Sequence, residues 1–150
     1  MTAYARVAVA RSGAGWTVSG NTASLAATAS FPAMAGGAGG TVTHFGVGLE
    51  SSGATQLVYF GTVTPNIAVT AGVTPKLDTG TTITQNASDG MADAAATAFL
   101  ELFFKNTDWA NVGDAAGLQN SAVAGNLYLS LHTSSPGTGG TQATNEISYT

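Results

Sequence analysis

Asn126-Leu127-Tyr128-Leu129-Ser130-Leu131-His132 alternates strictly between leucine and other side chains. Such a period of two is typical of a β-strand with one face against a core. We expect the three leucines to face that core, and Tyr128, Ser130 and His132 to face outward or toward a neighbour. A strand of this kind needs partners, and short β-like runs supply them along most of the sequence.

Gly20-Asn21 has the chemistry of a two-residue hairpin loop, because glycine supplies the positive φ that such turns require. It joins Trp16–Ser19 to Thr22–Leu25, and both runs read as strands. Thr64-Pro65 and Thr74-Pro75 mark sheet edges or strand starts, since proline donates no hydrogen bond to a ladder. The remaining predicted strands are Arg6–Arg11, Thr41–Leu49, Thr55–Thr64, Ile67–Thr70, Val73–Leu77, Thr81–Gln85 and Glu146–Thr150.

One clear helix is predicted over about residues 89–105. Asp89 and Asp93 lie near its N-terminus and Lys105 near its C-terminus, as the helix dipole prefers. Its wide apolar stripe fits either core packing or a helix–helix contact between subunits, and core packing is favoured. The stripe consists of Ala95, Ala96, Phe99, Leu100, Leu102, Phe103 and Phe104. Asn106–Gly125 is predicted to be a loop with one helical turn at Asp114–Gln119.

The fold class that follows is mainly β, a β-sandwich or jelly-roll-like barrel with one packed α-helix. A chain of 150 residues can bury one core, so residues 1–150 are expected to form a single domain. No run approaches the ~18 apolar residues of a spanning helix, and no export signal is present. With no cysteine, disulfides and thiolate metal sites are excluded.

Charge is unusually scarce, with 4 Lys and Arg, 8 Asp and Glu, and 8% charged residues against a typical ~25%. The surface is then either a neutral Thr/Ser coat or buried in part against copies of the chain, and we favour the second interpretation. Four scattered cations and a net charge of −4 argue against binding to nucleic acid or to an anionic membrane.

No motif predicts catalysis, a metal or a cofactor. His44 and His132 are the only histidines, and neither has a carboxylate or histidine at ligand spacing. No Gly-x-Ser-x-Gly elbow frames a serine, and the carboxylates are spread thinly. The aromatic residues could form a sugar-stacking platform, although isolated aromatics in β proteins more often bridge core and surface. They are Trp16, Trp109, Tyr4, Tyr59, Tyr128 and Tyr149.

Several segments together resemble a family of tailed-bacteriophage virion structural proteins, commonly labelled phage tail fibre proteins. The matching segments are Leu127–Thr133, the Pro136-Gly137 turn, Thr141–Thr150, Tyr4–Val7, Gly15–Asn21, Phe31-Pro32 and Thr43–Gly48. The resemblance implies a non-enzymatic virion component that forms a symmetric homo-oligomer, a homotrimer or a larger assembly. It provides no catalytic motif that could be transferred to this chain.

The order of the segments suggests a circular permutation. Asn145–Thr150 reads as half of a strand that Thr2–Ala10 continues, whereas Asn86–Gly90 reads like a tail and Met91–Ala96 like a natural start. We therefore predict that parent termini are fused near Gly90-Met91. The new ends at Tyr149 and Tyr4 should then lie next to each other on one interrupted strand.

The sequence as a whole favours a non-enzymatic structural subunit of a phage virion, either a tail appendage or a capsid decoration. Its expected partners are copies of itself and other virion proteins. We expect it to be made in the host cytoplasm and located in the virion. Two alternatives remain. One is a receptor-binding module for a bacterial surface glycan, which clustering of Trp16, Tyr59 and Tyr128 in one groove would favour. The other is a glycan-cleaving enzyme, which needs two convergent carboxylates in a cleft.

Overall fold

A computed structural model describes residues 3–85 and 90–150. In this part of the chain the protein is mainly β with one α-helix, which confirms the predicted fold class. The elements are β1 (Val7–Ala10), β2 (Trp16–Ser19), β3 (Thr22–Leu25), β4 (Ala29–Ser30), β5 (Gly40–Gly48), β6 (Leu57–Val69), β7 (Lys76–Leu77), β8 (Thr82–Thr84), α1 (Asp93–Lys105) and β9 (Asn126–His132).

The strands form three open sheets, in the orders β1-β9-β5-β6, β2-β3-β8 and β4-β7. None of these sheets closes within the described residues, so the predicted barrel alternative is not formed. In the same residues no helix has the length and apolarity needed to cross a membrane.

Packing divides the chain into two compact units, each built from separate segments. Unit 1 contains Met1–Val9 (described from Ala3 on), Thr28–Leu77 and Leu127–Thr150, and unit 2 contains Ala10–Ala27 and Asp78–Asn126. The prediction of a single domain over residues 1–150 stays a prediction.

The core of unit 1 lies on one face of the four-stranded sheet. The predicted inward leucines of β9 are all buried, and Leu129 and Leu131 lie opposite Val47 and Phe45 of β5. A Cβ at Gly61 of β6 would lie 2.7 Å from Cε1 of Phe45, so the absence of a side chain at Gly61 leaves room for the phenyl ring. Alternating side chains on two paired strands thus build this core, as the sequence predicted.

β6 is longer than predicted and ends the sheet at one edge. It joins the predicted strands Thr55–Thr64 and Ile67–Thr70 into one. Val42 pairs with Ile67 and His44 with Thr62, so residues 63–66 of β6 lie opposite Thr43 alone. Pro65 lies in this irregular segment of an edge strand, the position that its missing N–H favours.

Unit 2 contains the predicted hairpin, with Gly20 at φ 56° in the loop between β2 and β3. α1 packs on these two strands, and its buried residues are Ala96, Leu100 and Phe104. The Trp16 and Phe104 rings lie 4.5 Å apart. The apolar stripe of α1 therefore packs in the core of unit 2, which was the favoured interpretation.

Two boundaries in unit 2 differ from the predictions. α1 begins at Asp93, after an extended N-cap residue, Ala92, whereas Asp89 lies outside the described residues. The predicted helical turn at Asp114–Gln119 does not form. There, Oδ1 of Asp114 accepts hydrogen bonds from the backbone N–H groups of Ala116 and Gly117 and closes a tight turn. The chain then forms an isolated bridge between Trp109 and Leu118.

Candidate functional site

Ser130 and His132 form a buried serine–histidine pair on β9. Oγ of Ser130 lies 2.8 Å from Nε2 of His132, whose Nδ1 lies 2.8 Å from the Thr144 carbonyl oxygen. Because a carbonyl only accepts, Nδ1 carries the proton, and Nε2 accepts from the serine hydroxyl. The arrangement resembles a nucleophile with its base, but both side chains are 0% exposed.

The expectation that Ser130 and His132 face outward is wrong. The segment from Gln142 to Glu146 contacts this face of the sheet, through the Thr144 carbonyl at His132 and an isolated bridge between His132 and Glu146. Burial lowers the pKa of His132, so the imidazole is neutral at physiological pH. The pair thus satisfies two buried polar side chains instead of presenting a nucleophile to solvent.

Two glycines of β5 make room for this polar layer. A Cβ at Gly46 would lie 2.6 Å from Oγ of Ser130, and a Cβ at Gly48 would lie 1.9 Å from Cδ of Gln142. The buried Gln142 Oε1 accepts from the Thr55 hydroxyl at 2.6 Å and from the Glu50 N–H at 3.1 Å. The amide therefore ties the connection between β5 and β6 to the segment that follows β9.

Tyr4, Arg6 and Glu146 form the most buried charged cluster of unit 1. Arg6 donates to both carboxylate oxygens of Glu146, from Nε at 2.7 Å and from an Nη at 2.8 Å, and the Tyr4 hydroxyl donates to Oε1 at 2.9 Å. Burial raises the pKa of Tyr4, which stays protonated, and the hydrogen bond to Glu146 raises the pKa of Arg6. The Arg6 side chain is 3% exposed and that of Glu146 15%.

The two ends of the described chain meet beside this cluster. The Tyr4 N–H donates to the Tyr149 carbonyl at 3.0 Å, and the two rings lie edge to face at 5.4 Å. The Tyr149 hydroxyl donates to the Pro32 carbonyl at 2.6 Å. The ends are therefore adjacent, as the rotated-order hypothesis requires. The prediction that they lie on one interrupted strand is wrong, because Glu146–Thr150 does not form a strand and β1 begins only at Val7. The order of the segments itself stays a prediction, since Asn86 to Asp89, next to the proposed fusion, lie outside the described residues.

Three of the four cationic side chains are engaged inside their own unit. Arg6 pairs with Glu146 in unit 1, and Lys105 pairs with Glu101 in unit 2 at 3.1 Å. Arg11 donates to the carbonyls of Leu102 and Phe103, at the C-terminal end of α1, where the helix dipole favours a cation. Lys76 is exposed. In a chain that is already poor in charge, most of the cationic side chains therefore bind groups within their own unit.

Trp16, Tyr59 and Tyr128 do not come together in one groove. Trp16 is 1% exposed in unit 2. In unit 1, Tyr59 lies opposite Val47 and Tyr128 opposite Gly48, and neighbouring residues of one strand face opposite sides of a sheet. Tyr59 and Tyr128 therefore point to opposite faces. Burial of the tryptophan and separation of the tyrosines both count against a glycan groove built from these three residues.

Among residues 3–85 and 90–150, no group of three or more His, Cys, Asp or Glu side chains is arranged to hold a metal ion. The Ser130–His132 pair was not predicted from the sequence, although the two residues are separated by one position on a strand and therefore share a face. Their spacing is visible in the sequence, but no sequence pattern indicates that the segment with the Thr144 carbonyl covers them.

Comparison with known proteins gives one match. The family model described as "Podophage GP4 fiber I protein gp80" matches residues 1–85 of the 150. This range spans more than half of the chain and ends before the proposed fusion at Gly90-Met91, so it leaves the order of the segments open. No curated protein and no solved structure matches.

Proposed function

The chain belongs to the podophage GP4 fiber I protein gp80 family, a phage tail fibre-type family, and on this premise we propose that it is a non-enzymatic structural subunit of the virion. It acts by self-association into a symmetric oligomer, with other virion proteins as further partners. The site residues described above serve this role by holding each unit rigid, and no substrate is turned over.

The observation that carries this proposal is a long stretch of the chain without charged side chains. Desolvating a charge at an interface costs free energy, and like charges repel when identical surfaces meet. Arg6, Arg11 and Lys105 are engaged within their units. The exposed carboxylates lie outside residues 57–75, which contain no Asp, Glu, Lys or Arg that would oppose contact between copies. Apolar, Ala and Thr surface can then be buried between identical subunits, as in other symmetric assemblies.

Absolute mass in solution tests the proposal. Light scattering on a sizing column, with negative-stain images of the peak, should show a defined oligomer, for which we propose a homotrimer or a larger closed assembly. A monomer at every concentration measured would contradict self-association. It would direct attention to the receptor-binding alternative, which a binding assay on host polysaccharide would then test.

A further inference from the structure

The outer edge of β6 is the longest uncovered strand edge of the four-stranded sheet. β6 is the last strand in the order, and among the described residues the strand hydrogen-bonded to it is β5. The other edge strand, β1, has 4 residues, whereas β6 has 13. An edge strand presents a row of backbone N–H and C=O groups that another strand can pair with.

The usable part of this edge is Tyr59–Thr62, which lies between two irregularities in the pairing with β5. Residues 63–66 break the register on one side, and Pro65 has no N–H to offer a partner. On the other side, Tyr59 pairs with Val47 and Leu57 with Gly48, so Val58 is an extra residue. The four residues between the irregularities run for about 13 Å as a strand. They include Tyr, Phe and Thr, which favour strands, and Phe60 is 36% exposed.

Tyr59–Thr62 lacks one common protection of an edge strand, a charged side chain. Natural edge strands are commonly blocked by charged side chains, lysine above all. From Leu57 to Pro75 the sequence contains no Asp, Glu, Lys or Arg. A charged partner strand would find no opposite charge here, whereas an identical strand would meet no like charge. The absence of charge therefore favours a second copy of this chain over a charged foreign segment.

We propose that Tyr59–Thr62 pairs antiparallel with the same segment of a second copy, about a two-fold axis at Phe60. Such an axis is perpendicular to the sheet, so each residue faces one on the same side of the joined sheet. Phe60 then faces its own counterpart and buries two exposed rings. Tyr59 faces Gly61 of the second copy, where the Phe45 ring occupies the Cβ position, so the tyrosine ring would lie beside that phenyl ring.

This inference rests on the proposed self-association and identifies the surface through which two copies would bind each other. A two-fold contact joins copies in pairs, so it is distinct from any threefold contact in a homotrimer. The two can occur together in a larger assembly, with β6 edges linking trimers. A trimer held by other surfaces alone would satisfy the proposed function without this contact.

Disulfide trapping tests the register, because the chain has no cysteine of its own. Directly opposed residues have Cα atoms about 4.5–5.5 Å apart, within the range of about 4.4–6.8 Å that a disulfide spans. We expect Phe60→Cys to give a disulfide-linked dimer as the main product of mild oxidation. Thr62→Cys is the matched control: it lies on the same strand but two residues from the axis. The two copies of this residue would be about 13 Å apart and should remain largely uncrosslinked.

A charge variant tests the contact itself. Phe60→Lys places two ammonium groups opposite each other and should raise the dissociation constant of the pair about tenfold or more. Thr82→Lys is the control, since Thr82 is also exposed but lies on β8 in unit 2. Circular dichroism confirms that both variants fold, and light scattering reports the mass.

The outcomes separate the two proposals. Crosslinking at Phe60 together with dissociation of Phe60→Lys supports the β6 contact. An oligomer that survives Phe60→Lys and shows no crosslink at Phe60 would overturn this inference and leave the proposed function intact. A wild-type protein that is monomeric throughout would overturn both.

Discussion

At the scale of single residues, Glu146 is expected to contribute strongly to stability, because its carboxylate is the partner of a guanidinium that is 3% exposed. Glu146→Gln leaves Arg6 buried without its counter-charge and should lower the free energy of unfolding by about 3 kcal/mol. Glu101→Gln is the matched control, since its pair with Lys105 is 27–29% exposed and should cost about 0.5 kcal/mol or less. Urea denaturation measures both, and equal losses would contradict this account.

His132 should make stability depend on pH. Burial lowers the pKa of His132 in the folded protein below the ~6.5 of the unfolded chain. As pH falls below ~6.5, the unfolded state therefore binds more protons than the folded state, and the free energy of unfolding decreases. Above that pH, the neutral His132 makes its full contribution to the free energy of unfolding. His132→Gln removes the titrating group, so its unfolding free energy should change less between about pH 7.5 and pH 5. Parallel pH profiles for the two proteins would contradict the assignment.

Residue positions were predictable from the sequence where a local pattern determines them. The leucines at 127, 129 and 131 are buried as alternation predicted. Ser130 and His132 follow the same alternation, yet they are buried too, because the segment from Gln142 to Glu146 contacts their face. A distant segment that folds over a strand leaves no trace in the periodicity of that strand.

The elements show the same division between local and distant causes. β2, β3 and β9 have the predicted bounds, because a turn sequence and strict alternation are local signals. The two-residue strand β4 was missed, since it exists only through its pairing with β7. β6 was divided in two at Pro65, whereas pairing with β5 continues on both sides of the proline.

The N-terminus of α1 offers a prediction at the scale of the element. Ala92 is the N-cap residue, with extended φ and ψ and no side-chain hydrogen bond to the first turn. Ala92→Asp supplies an acceptor for those N–H groups and a negative charge near the positive end of the helix dipole. It should raise the free energy of unfolding by about 1 kcal/mol. Ala92→Asn is the matched control, because it can cap without adding a charge; a gain in Ala92→Asp alone would point to charge and not to capping.

At the scale of the whole molecule, the rotated-order hypothesis makes a prediction that concerns both chain ends. The Tyr4 N–H reaches the Tyr149 carbonyl at 3.0 Å, so a short join between the ends is geometrically feasible. Gly90 is exposed, with no heavy atom within 4 Å of its hypothetical Cβ, so a break beside it disturbs no packing there. A chain that begins at Met91, with Thr150 joined to Thr2, should therefore adopt the same fold.

Its free energy of unfolding should lie within about 1 kcal/mol of that of the present chain, because joining adjacent ends closes only a short loop. It should also fold faster, since contacts between the two end segments become local in sequence. The control is a rotation with its break between Phe45 and Gly46, in the middle of a strand paired on both sides, which should not fold. Stopped-flow refolding and urea denaturation measure the three chains. If the chain that begins at Met91 fails to fold while the present one folds, the proposed fusion near Gly90-Met91 is wrong.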